Sequence, residues 1–383
     1  MDKFQGKVAI VGTGEVPTGK FPERPALQHA LESCKMAIED AGISKDEIDT
    51  VMACGVIFNA RYGRDLGVGL LADELGLCGK VKRNFMLFSG GSSSSDMLEL
   101  AVAMVGQGFS KTVLISHSEK LAVSSDAFGR VDDPFGMGMN TIMGLITQRY
   151  IHETGTTPEQ LASVCVSNRK WAQLNPNARF QKPLTIEDVL KSKMITTPLH
   201  AMECNILCDG GSALIVTSDE RAKDLRNPPV YPLGFGSVVT HFNATYAPDM
   251  AALSYPQVAK EAYEMAGIGP EDVDIAELYD SYPVISLIAL EGLGLCKKGE
   301  AGRFVYEGHT WPGGSLPMTT NGGMLSQGHT GGGGSFAILV EAVRQLMGKA
   351  GDRQVKDAKI AVETSTGGYY ADTHMMVLGK EKP

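Results

Sequence analysis

Several features that would assign this 383-residue sequence to a narrow class are missing from it. No uninterrupted apolar stretch approaches the roughly 18 residues a bilayer span requires, so a transmembrane helix is not expected. Basic residues form no cluster, and 35 Lys and Arg against 44 Asp and Glu leave a net charge of −9. A nucleic-acid surface needs the opposite sign gathered on one face. Met1 to Lys7 carry charge and no apolar signal core, which points to a cytoplasmic protein. Cysteine is sparse and odd in number: Cys34, Cys54, Cys78, Cys165, Cys204, Cys208 and Cys296 lie scattered and mostly inside apolar stretches. They read as reduced core residues. Cys204 and Cys208 have no second pair and no nearby histidine pair, so no metal is expected in this chain.

What the sequence does have is length and apolar content for two core-bearing units of ordinary size. Its organising stretch is Phe85 to Asp96, where an apolar run ends in seven consecutive small residues. Met97, Leu98, Ala101, Val102 and Val105 then recur at helical spacing. A flexible Gly/Ser linker would have polar flanks. Apolar flanks predict a buried strand turning sharply into a helix, an elbow that aims unpaired amides at whatever sits there. No obvious nucleophile stands on it.

A buried strand is predicted from Lys7 to Gly12. The following Gly12-Thr-Gly14 begins like a dinucleotide fingerprint but has Pro17 where the third glycine belongs, and no helix follows it directly. An amphipathic helix is expected over Pro25 to Ala41. Its exit, Ala41-Gly42-Ile43 with Glu47-Ile48-Asp49, returns as Ala266-Gly267-Ile268 with Asp272-Val273-Asp274, a spacing of 225 residues (267 − 42). The elbow has its own counterpart in Gly331 to Gly334, which opens a second apolar helix. Each of these helices precedes a strand, Lys111 to Ser116 and Ala358 to Glu363. Internal duplication predicts two similar α/β halves related by a pseudo-twofold axis, residues 1–228 and 229–383. The first half carries an insertion at about 118–197, with helices near 140–153 and 158–173; insertions of this kind serve as lids or binding loops.

Three sites stand out in the second half. Ala276 to Pro283 is an apolar segment ending in Tyr279, Asp280, Ser281 and Tyr282, which either act in a site or cap the next helix. Asn321 to Gly331 is so rich in glycine that its backbone must approach something closely, and His329 within it has the titration range of a general acid or base. Glu363 to Tyr370 ends a strand in Gly367 and Gly368, whose amides suit an oxyanion hole.

Taken together, the duplicated halves, Gly12-x-Gly14-x-x-Pro17, Asn175-Pro-Asn-Ala178-Arg-Phe180, Asp209-Gly-Gly-Ser-Ala213, Tyr279-Asp280, Gly328-His329 and Gly367-Gly368 resemble the thiolase superfamily over essentially the whole chain. The nearest branch is that of the sterol-carrier-protein type, including bacterial members that pair with a small zinc-containing OB-fold subunit. The resemblance implies a five-layered αβαβα fold, a homodimer, a heterotetramer with the OB-fold subunit, and coenzyme A as substrate in an acyl-CoA thioester. It implies that His329 activates the nucleophile and binds the thioester oxygen. Tyr279-Asp280 stands where relatives have Asn-Glu or His-Asp. Arg169, Lys170 and Asn175 are implied as coenzyme A contacts.

By the same alignment the nucleophilic cysteine falls at Leu87, next to Ser89, and the second catalytic cysteine at about Ser365. Both sulfurs are therefore missing, and leucine forms no acyl-enzyme. Three readings follow, the first preferred because Gly328-His329 is intact. In the first, free coenzyme A deprotonated by His329 cleaves a branched or aromatic 3-oxoacyl-CoA, with Leu87 lining the acyl pocket. In the second, Tyr279 or His329 starts a retro-aldol cleavage of a 3-hydroxyacyl-CoA, with Asp280 tuning its neighbours. In the third, the chain is a non-catalytic acyl-CoA-binding scaffold.

Overall fold

The computed structural model describes residues 4–54, 67–121, 136, 138–241, 246–247, 249, 253–368 and 370–382. Tyr369 and part of the expected insertion, 122–135 and 137, lie outside the described residues.

Strand alternation divides the apolar residues into inner and outer cores. In β1 (Val8–Glu15), Val8 and Ile10 face one cluster while Ala9 and Val11 face the other. The same two-residue period runs through β4 (Thr112–Lys120) and β7 (Asp209–Ser218). With β2 (Thr50–Cys54) and β3 (Arg83–Met86) these form a five-stranded sheet in the order β1-β7-β4-β2-β3. The second sheet takes β8 (Tyr231–Val239), β9 (Ile275–Glu277), β10 (Ile360–Gly367) and β11 (Asp372–Gly379) in the order β8-β11-β10-β9.

Polarity repeats with order. In each sheet two antiparallel pairings are followed by a parallel one, β1-β7-β4-β2 matching β8-β11-β10-β9. The parallel pairing of β3 on β2 has a remnant in the single bridge between Ala276 and Met318. Helix α1 (Ala26–Ala41) ends at Gly42 with φ 70°, and α8 (Tyr255–Ala266) ends at Gly267 with φ 70°. Both caps are left-handed, as a glycine C-cap permits. The duplication read from spacing is thus present in three dimensions.

Helices α3 (Ser93–Gly106) and α12 (Gly334–Met347) lie between the sheets, each entered through a single 3-10 turn of three residues, 90–92 and 331–333. Met97, Leu98, Phe336 and Leu339 fill the inner core with the inward side chains of both sheets. Helices α1 and α2 (Gly67–Glu74) cover the first sheet outside, and α8 covers the second. The architecture is a five-layered αβαβα sandwich, as expected from the sequence.

Around these layers pack α4 (Met139–Thr154), α5 (Pro158–Ala172), α6 (Ile186–Lys191), the ladder of β5 (Met194–Thr196) with β6 (Leu199–His200), α7 (Asp219–Ala222), α9 (Pro283–Gly292), α10 (Ala301–Tyr306) and α11 (Gly323–Ser326). Three strands outrun the ends read from sequence: β1 continues past Gly12 to Glu15, β10 past Glu363 to Gly367, and β4 past Ser116. Strand β4 does not stop at Ser116 but stays paired with β7 to Lys120, carrying His117 and Glu119 inward beyond the apolar Val113 and Ile115. No helix among the described residues is long and apolar enough to cross a membrane.

Candidate active site

Four segments converge where the inner helices begin: the elbow before α3, the turn after β9, the glycine loop before α12, and the turn between β10 and β11. At the elbow, one residue past the end of β3, the Leu87 amide still donates to Ala53 O, 3.1 Å away, and the side chain lies half-buried against the inner core. Phe88, the next residue, is 50% exposed and leans over Gly332. The expectation that Leu87 lines the pocket is corrected by this pairing. Alternation sends Leu87 to the core and leaves Phe88 at the opening.

Two serine hydroxyls tie the elbow down. Ser89 Oγ donates to Asp96 and Ser92 Oγ to Asp372, while the Ser89 amide donates to Ser93 Oγ at 3.0 Å. The His374 ring lies 2.7 Å from Asp372 and 3.7 Å from Asp96, which raises its pKa. Among the described residues Asp96, Asp372 and His374 form the one group with metal-ligating atoms this close, and their polar atoms are already engaged with one another and the serines. Gly367 and Gly368 stack backbone to backbone on the elbow: a Cβ on Gly367 would lie 2.0 Å from Ser89 O. Ser365 faces away, its hydroxyl bonded to Ser95 of α3 in the buried layer.

His329 is pinned by its backbone. Its N–H donates to Ile206 O at 3.0 Å and its carbonyl accepts from Cys208 N–H at 2.8 Å. Its ring is held on both nitrogens: Gly331 N–H donates to Nδ1 at 2.9 Å, and Nε2 lies 3.1 Å from Tyr279 Oη. Burial pushes the imidazole down to about 4, so it is neutral. A neutral ring carries one proton. Because Nδ1 accepts, that proton is on Nε2 and is donated to Tyr279 Oη. The phenol, driven up in pKa by burial, keeps its own hydrogen, with the Ser281 hydroxyl also within reach of it. In this tautomer Nδ1 is occupied by Gly331 N–H and Nε2 by the phenol oxygen.

Asp280 turns the other way. Its carboxylate accepts Met324 N–H at 2.8 Å, Leu325 N–H at 3.2 Å and the Asn168 amide, so it holds the start of α11 and with it the glycine loop. Burial pushes it up to about 7 against the pull of those donors. Ser281 bonds the Tyr370 hydroxyl, and the Tyr370 ring meets Tyr279 edge-on at 6.2 Å.

The glycine run has a side-chain reason at every position. An added Cβ would lie 1.6 Å from Glu119 at Gly331, 2.6 Å from Phe88 at Gly332, 2.1 Å from the His117 ring at Gly333, and 2.8 Å from the His329 ring at Gly334. Four glycines in sequence let four side chains close on one turn.

With this geometry in view, residues 236–380 match the family described as "Thiolase C-terminal domain-like". The chain is 31% identical over 405 residues to the steroid side-chain-cleaving aldolase of Thermomonospora curvata, covering 100% of both. It is 31% identical over 377 residues to the benzoylsuccinyl-CoA thiolase subunit BbsB of Thauera aromatica, covering 96% of each. A solved Ltp2-ChsH2(DUF35) aldolase is similar at a TM-score of 0.86 and 30% identity, covering 98% of each chain. The chain belongs to the thiolase superfamily. It is a thiolase-like enzyme, and its relatives are named for making or breaking carbon-carbon bonds.

Two cysteines lie near the converging segments, and both are buried. Cys208 lies against Gly328, but it is buried, burial raises its pKa, and its sulfur accepts from Arg179 at 3.2 Å. Cys54, at the end of β2, is fully buried and pushed far up. Neither presents a thiolate.

The coenzyme A candidates separate. Arg169 Nε donates to Ser326 Oγ at 3.0 Å, beside the glycine loop. Lys170 lies 4.4 Å over the Trp311 ring on another side of α5. Asn175 is buried, donates to Asn321 O at 2.8 Å and accepts from Asn177 N–H, so its polar atoms serve the loop rather than an open groove. Phe88, His117 and Glu119 were not singled out from sequence. The alternation Val113, Ile115, His117, Glu119, which ends an apolar strand face in two ionisable groups, was the available signal.

Proposed function

We propose that this enzyme cleaves the carbon-carbon bond between Cα and Cβ of an acyl-CoA thioester by retro-aldol chemistry, without a cysteine acyl-enzyme. The observation that carries the reading is the Tyr279–His329 donor pair at an elbow that bears Phe88 and no sulfur. The substrate is a 3-hydroxyacyl-CoA with a bulky acyl part. The hydroxyl gives up its proton as the Cα–Cβ bond breaks. The hydroxyl oxygen becomes a carbonyl, and the bonding pair moves into the thioester as an enolate. Tyr279 relays one proton in step with the bond change: Oη passes its hydrogen to Cα, where the enolate charge develops, as it takes the proton leaving the 3-hydroxyl, so the phenol is neutral before and after. The proton balance closes on a single phenol, and no step is assigned to a metal. Amides at Gly367 and Gly368 are assigned to the thioester oxygen.

Asp280 is a positioning residue in this scheme, Ser89 fixes the elbow, and Ser365 serves packing. Arg169 is kept as a coenzyme A contact because its charge lies beside the glycine loop. Lys170 stays in the reading with lower weight, and Asn175 is withdrawn from it. We also read two halves dividing near residue 228, since the sheets use strands 8–218 and 231–379. Assembly with a partner subunit is supported by the likeness to the Ltp2-ChsH2(DUF35) aldolase, and a homodimer joined by a small zinc-containing OB-fold subunit into a heterotetramer is the form the family resemblance suggests. A cytoplasmic setting is supported by seven free cysteines.

A second reading, thiolytic cleavage of a 3-oxoacyl-CoA by free coenzyme A, is favoured by the likeness to benzoylsuccinyl-CoA thiolase. The two separate in one experiment with a DUF35-type subunit present. Branched 3-hydroxyacyl-CoA is supplied without free coenzyme A, and 3-oxoacyl-CoA with it. Release of a ketone or aldehyde without added coenzyme A supports the retro-aldol. Turnover that consumes one coenzyme A per cleavage overturns it, and no turnover on either substrate moves the chain to the scaffold reading.

A further inference from the structure

We infer that Glu119 is a positioning residue that fixes the tautomer of His329 through the glycine turn between them. The inference rests on the donor-pair reading of His329 and Tyr279. Glu119 is the last inward side chain of β4, 2% exposed, beyond Val113, Ile115 and His117 on the same face. Its Oε2 accepts Gly332 N–H at 3.0 Å. The preceding amide, Gly331 N–H, donates to His329 Nδ1 at 2.9 Å.

Consecutive amides thus serve two different side chains. Successive backbone N–H groups in a turn with one left-handed residue make a concavity for an anion, and Gly331, with φ 72°, is that residue. The carboxylate of Glu119 takes one amide of that turn, Gly332 N–H, and lies so close to Gly331 that no Cβ fits. By fixing the 331–332 peptide it limits the turn of the adjoining 330–331 peptide, whose Gly331 N–H is thereby kept on Nδ1. A proton on Nδ1 would face another N–H, so the ring keeps its proton on Nε2 and its donor on Tyr279. His117, pushed down to about 3 by burial, packs under Gly333 as a neutral ring and brings no competing charge.

The test reads the tautomer directly. Full-length protein labelled with 15N-histidine is examined by long-range 15N–1H correlation, which separates Nε2–H from Nδ1–H rings. The His329 signals among the eight histidines are identified by their loss in His329→Gln. The wild type is expected in the Nε2–H form. Glu119→Gln keeps an acceptor oxygen and is expected to retain that form and most of kcat. Glu119→Ala is expected to populate Nδ1–H and to lose ~10–100-fold in kcat with KM nearly unchanged, a share of the roughly 10²–10⁴-fold that positioned proton transfer contributes. Glu119→Asp, one methylene shorter, gives the same readout if the alanine variant fails to fold. An unchanged Nε2–H pattern in the alanine or aspartate variant overturns the inference, whatever happens to turnover. A shifted tautomer with full turnover upholds the inference and sinks the donor-pair reading instead.

Discussion

Replacing Tyr279 by Phe removes one oxygen and leaves the ring between His329 and Tyr370, whose centroids lie 6.1 and 6.2 Å away. Two costs follow, and they differ in size. In the resting protein the Nε2–H of the buried His329 loses its acceptor, a penalty of about 1–3 kcal/mol in stability. In the reaction the enolate loses its proton source, which is worth roughly 10²–10⁴-fold. At about 1.36 kcal/mol per decade, that is ~2.7–5.5 kcal/mol of barrier. The activity loss therefore exceeds what the stability loss explains. Steady-state kinetics with the 3-hydroxyacyl-CoA, beside a thermal melt, measures both. A kcat in Tyr279→Phe within about threefold of wild type would remove Tyr279 from the chemistry, because a contributing general acid cannot be that cheap.

Other outcomes follow from the same geometry. Gly91→Ala would place a Cβ 2.3 Å from Thr366 O and 2.6 Å from Tyr279 Oη. Overpacking costs roughly 1–3 kcal/mol, and the displaced phenol should lower kcat more than tenfold on the order of a lost hydrogen-bond geometry; a variant with normal kcat speaks against the close fit. The pH dependence of stability carries the signature of His329, whose pKa falls from 6.5 to about 4 on folding. Above pH 6.5 the ring is neutral in both states and contributes no slope. Between 6.5 and about 4 only the unfolded chain is protonated, so stability falls as pH falls, by at most ~3 kcal/mol in total. Denaturant unfolding of His329→Gln should lack that share of the acid loss, and parallel curves for variant and wild type would contradict it.

Much of this was legible in the sequence because duplication repeats local physics. Gly42 and Gly267 end matching helices in the same left-handed conformation, and that requirement is written in the residue type. The glycine density around His329 announced a close approach, and the approaching side chains are Glu119, Phe88, His117 and His329 itself. What was not legible depends on register and distance. Whether Leu87 or Phe88 stands at the opening is a one-residue question settled by the Leu87 amide reaching Ala53 O. Glu119 is separated from Gly332 by 213 positions, a contact no local pattern encodes. Asn175 looked available because asparagine in a loop usually is, yet its amide is spent on the backbone at Asn321. The role of His329 also escaped composition, since a histidine is a base or a donor according to which nitrogen accepts a neighbour's proton.

The central claim is bond cleavage at an elbow that no longer forms a bond to substrate. Intact-mass measurement of the enzyme with its DUF35-type subunit, quenched during turnover of the acyl-CoA, tests it most directly. Unmodified protein mass while acyl-CoA product accumulates is the predicted result. An acyl group on Cys54, Cys208 or any other cysteine, forming and decaying at the rate of turnover, would contradict it.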